Sequence, residues 1–361
     1  MTVERGKGRL NLRPSVGGLA TGMASFHQGR ESVWIGWPGV TTEDLREGER
    51  EALTERLGAE FRSHPVFLSR ADVASYYEGF SNRTVWPLFH YFPQYAVYDE
   101  ALWEAYQRVN QLFRDLVLDV VSEDDVVWIH DYHLMLLPRL IRRERPDVRM
   151  GFFLHIPFPS FEVFRLLPWR REILKGLLGA DLVGFHTYDY VRQFRDSVRR
   201  LVGAEQAPDT VSFENRLIRV DAFPMGIDYP RFAEAVKSSE VQREVERIGE
   251  HVGQRRAIFS MDRMDYTKGI LERLDAFDLF LEENPEYWRK VTLILVSAPS
   301  RTRVEAYASL KKEIDERVGK INGKHGTFGW VPVWYRSRML DFSTLVALYH
   351  YADVALVTPL R

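Results

Sequence analysis

With 361 residues, the chain is long enough for two domains with cores of their own, and 45% hydrophobic with 28% charged residues is ordinary globular composition. A net charge of −2 gives no support to a nucleic-acid or anionic-membrane partner, and no apolar run approaches the roughly 18 residues of a membrane span. Zero cysteines exclude disulfides, thiolate metal sites and a cysteine nucleophile. Residues 1–14 are polar and Arg/Gly-rich without a signal-peptide core, so a cytoplasmic protein is expected. The nine Trp and 13% aromatic content point to dense packing or to sugar-stacking surfaces.

Along the chain, Gly17-Gly18 fits either an ordinary turn or a loop whose backbone approaches a ligand closely. A strand is predicted at 32–37. Tyr76-Tyr77-Glu78-Gly79-Phe80-Ser81-Asn82, running on to Trp86-Pro87, interleaves aromatics with hydroxyl and amide groups. That suits the apolar faces and polar rim of a sugar, and equally a packed core corner. Residues 100–121 carry Trp103, Tyr106, Val109, Phe113 and Val117 near a 3.6-residue period and read as an amphipathic helix. The strand at 126–130 ends in His130, Asp131 and His133. Three readings fit them: metal ligands, a substrate-binding Asp among structural histidines, or structure alone. The strand at 149–156 delivers His155 to a sheet edge, as a ligand contact or a satisfied core residue, before Pro157 and Pro159 stiffen its exit. Arg142-Arg143-Glu144-Arg145 reads as a solvated helix end.

Further strands are predicted at 182–186, 219–223, 257–261, 291–297 and 353–358. Strands alternating with helices mean βαβ units and mainly parallel sheets. Phe223-Pro224-Met225-Gly226-Ile227-Asp228 reads as a domain crossover, dividing the chain into 1–223 and 224–361. The most informative segment follows the strand at 257–261. Asp262-Arg263-Met264-Asp265-Tyr266-Thr267-Lys268-Gly269 is a polar loop opening onto a helical pattern through Ile270, Leu274 and Phe277. Arg263 and Lys268 are close enough in sequence to grip one dianionic group at a helix start, so a phosphate-bearing ligand is expected. Arg301, after the strand at 291–297, adds a third cation at a strand's carboxyl end.

Taken in order, these motifs resemble the trehalose-6-phosphate synthase family, together with Ile129-His130-Asp131-Tyr132-His133-Leu134, Phe152 to Pro159 and Val357-Thr358-Pro359-Leu360-Arg361. The resemblance spans nearly the whole chain. It implies a GT-B fold, in which two Rossmann-like αβα domains face a cleft, the first binding the acceptor and the second, here incomplete, the nucleotide sugar. It also implies retaining transfer of glucose from UDP-glucose to glucose 6-phosphate, giving α,α-trehalose 6-phosphate and UDP, with no cofactor and no catalytic metal. Under it, Arg263 and Lys268 hold the donor diphosphate, and Gly17 and Gly18 let a loop approach the donor. Asp131 bonds acceptor hydroxyls, His155 sits beside the transferred glucose, and Tyr77, Trp86 and Arg301 surround the acceptor sugar and its phosphate. Homo-oligomerisation stays open. So do a synthase with another acceptor, such as glycerol 3-phosphate, and a sugar-phosphate-sensing paralogue without activity. The chain departs from the family pattern at both ends. A Ser-Asn-Arg turn is missing before Thr2, and an Asp-Gly-Met-Asn loop with a donor-binding glutamate is missing after Arg361. The expectation is therefore a fragment, itself a poor catalyst.

Overall fold

The computed structural model describes residues 2–6, 9–13, 22–23, 31–299 and 305–361. The chain divides into two compact units, Met1–Ile227 and Asp228–Arg361, and the division falls within the expected crossover segment.

In the first unit, β1 (Thr2–Gly6) and β2 (Arg9–Arg13) form an antiparallel hairpin. No strand was expected there, yet a period-two signal exists. Val3, Leu10 and Leu12 pack with Val40, Leu53 and Leu57. β3 (Trp34–Gly36) and β4 (Ser63–Pro65) make a separate parallel pair. The main sheet contains β5 (Val126–His130), β6 (Arg149–Phe153), β7 (Leu182–Phe185), β8 (Glu205–Gln206), β9 (Thr210–Phe213) and β10 (Arg216–Ala222), in the order β5-β6-β7-β10-β9-β8. The first four of that order run parallel, and β9 and β8 add an antiparallel margin. β10 starts three residues before the predicted 219 because Arg216–Arg219 pair with β9, whereas Arg219–Ala222 pair with β7.

The second unit is one parallel sheet of β11 (Arg256–Arg263), β12 (Val291–Ala298), β13 (Val333–Arg336) and β14 (Val354–Ala355), ordered β13-β12-β11-β14. All eight residues of β12 are buried, as a central parallel strand covered on both faces requires. Its side chains alternate between two cores. Leu293 and Leu295 join Leu274, Phe277 and Ile314 on one face, and Ile294 and Val296 join Val241, Ile248 and Val346 on the other. Burial of each such side chain contributes about 1.5–3 kcal/mol. Two helical layers thus sandwich the sheet: Ile270–Glu283 with Glu305–His325, and Ser239–Val252 with Phe342–Tyr351. β14 is shorter than the predicted 353–358. The Asp353 carboxylate is taken by Arg256 and by the backbone N–H of Ala257 (2.9 Å), and Thr358 is drawn away to the loop described next.

Candidate active site

In open parallel sheets a ligand crevice forms at the carboxyl ends, where successive crossovers diverge. In the second unit this switch point lies between β11 and β14, because β12 and β13 lie to one side of β11 and β14 to the other. The loop after β11 sits there. Asp265, fully buried, accepts the N–H of Thr267 (3.0 Å) and the hydroxyl of Tyr307 (3.2 Å), which turns the chain into the short 3-10 helix Tyr266–Lys268. Gly269 follows at φ +60 and opens the helix Ile270–Glu283. A Cβ at Gly269 would lie 2.2 Å from the Thr358 carbonyl, so both the positive φ and the close approach require glycine. The segment after β14 is tied to the same loop by Leu360 N–H to Thr267 O (2.9 Å) and Thr358 Oγ1 to Gly269 O (3.1 Å). Arg263 is exposed at the end of β11 and Lys268 half-buried at the end of the turn.

Beneath this loop is a residue that the sequence reading passed over. Arg273 is fully buried. It donates to Thr358 Oγ1 (3.0 Å), Asp262 Oδ2 (2.7 Å), Lys268 O (3.1 Å) and Ser260 Oγ. One guanidinium therefore joins β11, the Lys268 turn and the segment after β14. A signal was present: position 273 lies on the same helical stripe as Ile270, Leu274 and Phe277, where an arginine has to be paired.

In the first unit, the carboxyl ends of β5, β6 and β7 bring His130, Asp131, His155 and His186 together. Asp131 has φ +72 and ψ 170, a conformation that costs a non-glycine residue about 1–3 kcal/mol and clusters at functional sites. It is held there from both sides. Its N–H bonds Phe153 O (2.8 Å), and its carboxylate accepts the N–H of His155 (3.2 Å). That bond also ends β6 at Phe153, short of the predicted 156. The next loop is pinned from below by buried tyrosines, Tyr76 donating to His133 O (3.1 Å) and Tyr106 to Tyr132 O (2.8 Å). Burial pushes both phenols up, which keeps them protonated donors.

Tyr76 and Tyr77 come from Val73–Val85, a π-helical stretch with wide turns, a rare form that favours functional sites. Tyr77 lies flat on His133 (5.4 Å between centroids, 12° between planes) and tilted to Trp37. Asn82 accepts from the Tyr132 hydroxyl (2.9 Å). Trp86, only 5% exposed, packs on His90 and Tyr132. His130 Nδ1 lies 3.1 Å from His155 Nε2. The metal alternative for His130, Asp131 and His133 is not the arrangement formed: one ring bonds another histidine, one stacks on tyrosine, and the carboxylate accepts a backbone N–H. Gly17, Gly18 and Arg301 lie outside the described residues. In the second unit, a groove lined by Arg255, Arg289, Lys290 and Phe328 lies at the amino-terminal ends of β11 and β12, opposite to the end that carries the Asp262–Gly269 loop. Its Arg255 caps helix carbonyls at Val252 and His251.

Burial lowers His130 to about 4, and burial with His130 and His186 alongside lowers His155 to about 3. The titratable groups against His155 among the described residues are His130, Asp131 and His186. Both rings are neutral when folded, whereas an unfolded histidine takes its proton near pH 6.5. Their contribution to stability is therefore fully present above about pH 6.5 and is lost as pH falls towards the folded values. Urea unfolding should show a loss of at most about 2 kcal/mol per ring between pH 7 and pH 5. Lowered carboxylates such as Asp353 act only below that window. A flat stability profile from pH 7 to 5 would show that the rings are not desolvated.

Two α/β units built on parallel strands define the class: this is the GT-B fold of glycosyltransferases. The chain belongs to glycosyltransferase family 20, whose sequence profile matches residues 1–361. It is 48% identical over 361 residues to the bifunctional trehalose-6-phosphate synthase/phosphatase of Thermoproteus tenax, covering 97% of this chain and 49% of that protein. It is 42% identical over 358 residues to the UDP-forming α,α-trehalose-phosphate synthase A of Dictyostelium discoideum, covering 99% of this chain and 48% of that one. The chain thus spans about half the length of each of these relatives. Among solved structures it superimposes on a UDP-forming α,α-trehalose-phosphate synthase from Burkholderia xenovorans in complex with glucose-6-phosphate, with a TM-score of 0.87 and 33% identity, over 96% of this chain and 77% of that one. Among the described residues, no helix is long and apolar enough to cross a membrane.

Proposed function

We propose that this chain carries the catalytic machinery of a cytoplasmic retaining glucosyltransferase acting on UDP-glucose and glucose 6-phosphate. The observation that carries the reading is the loop at the β11/β14 switch point, which has Arg263 at the end of β11 and Lys268 just before the next helix. That is the arrangement a departing diphosphate needs. In the reaction, the bond between glucose C1 and the UDP oxygen breaks. A bond from C1 to the acceptor's anomeric hydroxyl oxygen forms on the same face, and the acceptor proton passes to the leaving phosphate oxygen. The products are α,α-trehalose 6-phosphate and UDP. Arg263 and Lys268 would stabilise the charge on the diphosphate, Asp131 would orient the acceptor hydroxyls, and His155 would bond the transferred sugar. Tyr77 and Trp86 would flank the acceptor, and Gly17 and Gly18 would admit the donor. In this scheme the protein supplies position and electrostatics, with no covalent intermediate.

The test is UDP release with UDP-glucose and glucose 6-phosphate, with glycerol 3-phosphate as the competing acceptor and NMR assignment of the product's anomeric configuration. Release with glycerol 3-phosphate alone, or an inverted product, would overturn the reading. Arg301, assigned to the acceptor phosphate, supplies a further check. Arg301→Ala should weaken glucose 6-phosphate by roughly 10- to 150-fold, as for a lost charge-assisted contact, with a smaller effect on UDP-glucose. Equal weakening of both substrates would move Arg301 out of the acceptor site.

A further inference from the structure

We propose that His130 is a positioning residue: through its ring hydrogen bond it holds the His155 imidazole in one tautomer and one plane, leaving Nδ1 of His155 as the nitrogen with a defined role toward a ligand. The consequence for transfer rests on the glucosyltransferase reading, but the geometry does not. His130 Nδ1 and His155 Nε2 are 3.1 Å apart, and their rings are 37° from coplanar. Both rings are neutral at pH 7, so one nitrogen of the pair carries the proton and the other accepts it. If His130 donates, His155 Nδ1 carries N–H and is a donor. If His155 donates, its Nδ1 is bare and accepts. A free imidazole would exchange between the two, and the tautomer sets whether a sugar hydroxyl at Nδ1 donates or accepts.

His130 is itself fixed. It ends β5, with Trp128 tilted against it (4.6 Å) and Trp34 stacked parallel (6.4 Å, 13°). Its ring thus neighbours two indoles, and burial keeps it neutral. His155 is secured at its backbone by the Asp131 carboxylate (3.2 Å) and lies against Phe153 and His186. The strained backbone of Asp131 and the His130–His155 bond therefore act on one residue, the first through the main chain and the second through the ring.

The test uses two variants. His130→Phe keeps an aromatic ring between the two tryptophans and removes the bond. His130→Asn keeps a side-chain amide near the Nδ1 position and can restore it. Nitrogen-15 NMR of the histidine rings, recorded without substrates, should show a single His155 tautomer in the wild type and in His130→Asn, and a mixture in His130→Phe. In steady-state kinetics, His130→Phe should lower kcat/KM for UDP-glucose about 3- to 10-fold, the worth of one hydrogen bond, with the KM for glucose 6-phosphate within about twofold. His130→Asn should recover most of the loss. An unchanged His155 tautomer in His130→Phe overturns the proposal. So does a mixed tautomer with undiminished transfer, or a loss that His130→Asn does not recover. If the wild type transfers no glucose, the function reading falls while the ring spectra still decide the positioning.

Discussion

Replacing Arg263 or Lys268 by alanine in the whole protein should lower turnover by about 100-fold or more. Each cation is assigned to charge that grows on the departing diphosphate, and removal of one positioned donor from such a site costs about 10²–10³ in rate. Folding should be nearly unaffected, because Arg263 is exposed and Lys268 only half-buried. The melting temperature is therefore the control that separates lost chemistry from lost structure. The turn around Lys268 is built by Asp265, Thr267 and Gly269 rather than by the lysine ammonium. Lys268→Ala should thus leave the loop's shape intact while removing its charge. Near-normal turnover in both variants would show that neither side chain touches the diphosphate, and the function reading would then have lost its main support.

Arg273→Met should destabilise the second unit by about 3–5 kcal/mol, the usual result of removing one partner of a buried ion pair. Asp262 would keep its charge without the guanidinium at 2.7 Å, and Lys268 O and Ser260 Oγ would lose their donor. Lysine should not rescue it, since one ammonium cannot reach four acceptors arranged about a planar fork. The double variant Asp262→Asn/Arg273→Met should recover part of the loss by removing the orphaned charge. Urea unfolding of the three variants gives the comparison. A cost below about 1 kcal/mol for Arg273→Met would refute the clamp. Because the same fork bonds Thr358 and the Lys268 carbonyl, the variant should also loosen the switch-point loop and weaken UDP binding. That loss reports geometry, whereas Arg263→Ala reports charge.

How much was legible in the sequence differs from element to element. The strand at 126–130 appears as expected, since an apolar run ending in polar residues marks both the strand and its exit. The amphipathic helix predicted at 100–121 runs over Glu100–Val120, with Asp99 capping it through the Ala101 N–H (2.8 Å). The loop from Asp262 to Gly269 announced itself by cations beside a glycine at a helix start. Such features are local: periodicity, caps and turn chemistry depend on neighbours within a few positions along the chain. The hairpin Thr2–Gly6 with Arg9–Arg13 was missed for a different reason. Its alternation is short, and its apolar face finds a core in residues 40–67, distant in sequence.

The sequence by itself determined the two αβ units, the family and which loops carry charge, because each is written in short-range pattern and residue type. Tertiary structure alone decided that Arg273 is a buried clamp rather than a surface cation, that His130 bonds His155 instead of joining Asp131 and His133 around a metal, and that Asp131 sits at φ +72. Each depends on groups brought together across a sheet or between loops far apart in the chain: Arg273 with Thr358, β5 with β6, Asp131 N–H with Phe153 O. Desolvation and hydrogen-bond satisfaction choose among such arrangements only after the sheets have formed, and no local pattern records that choice.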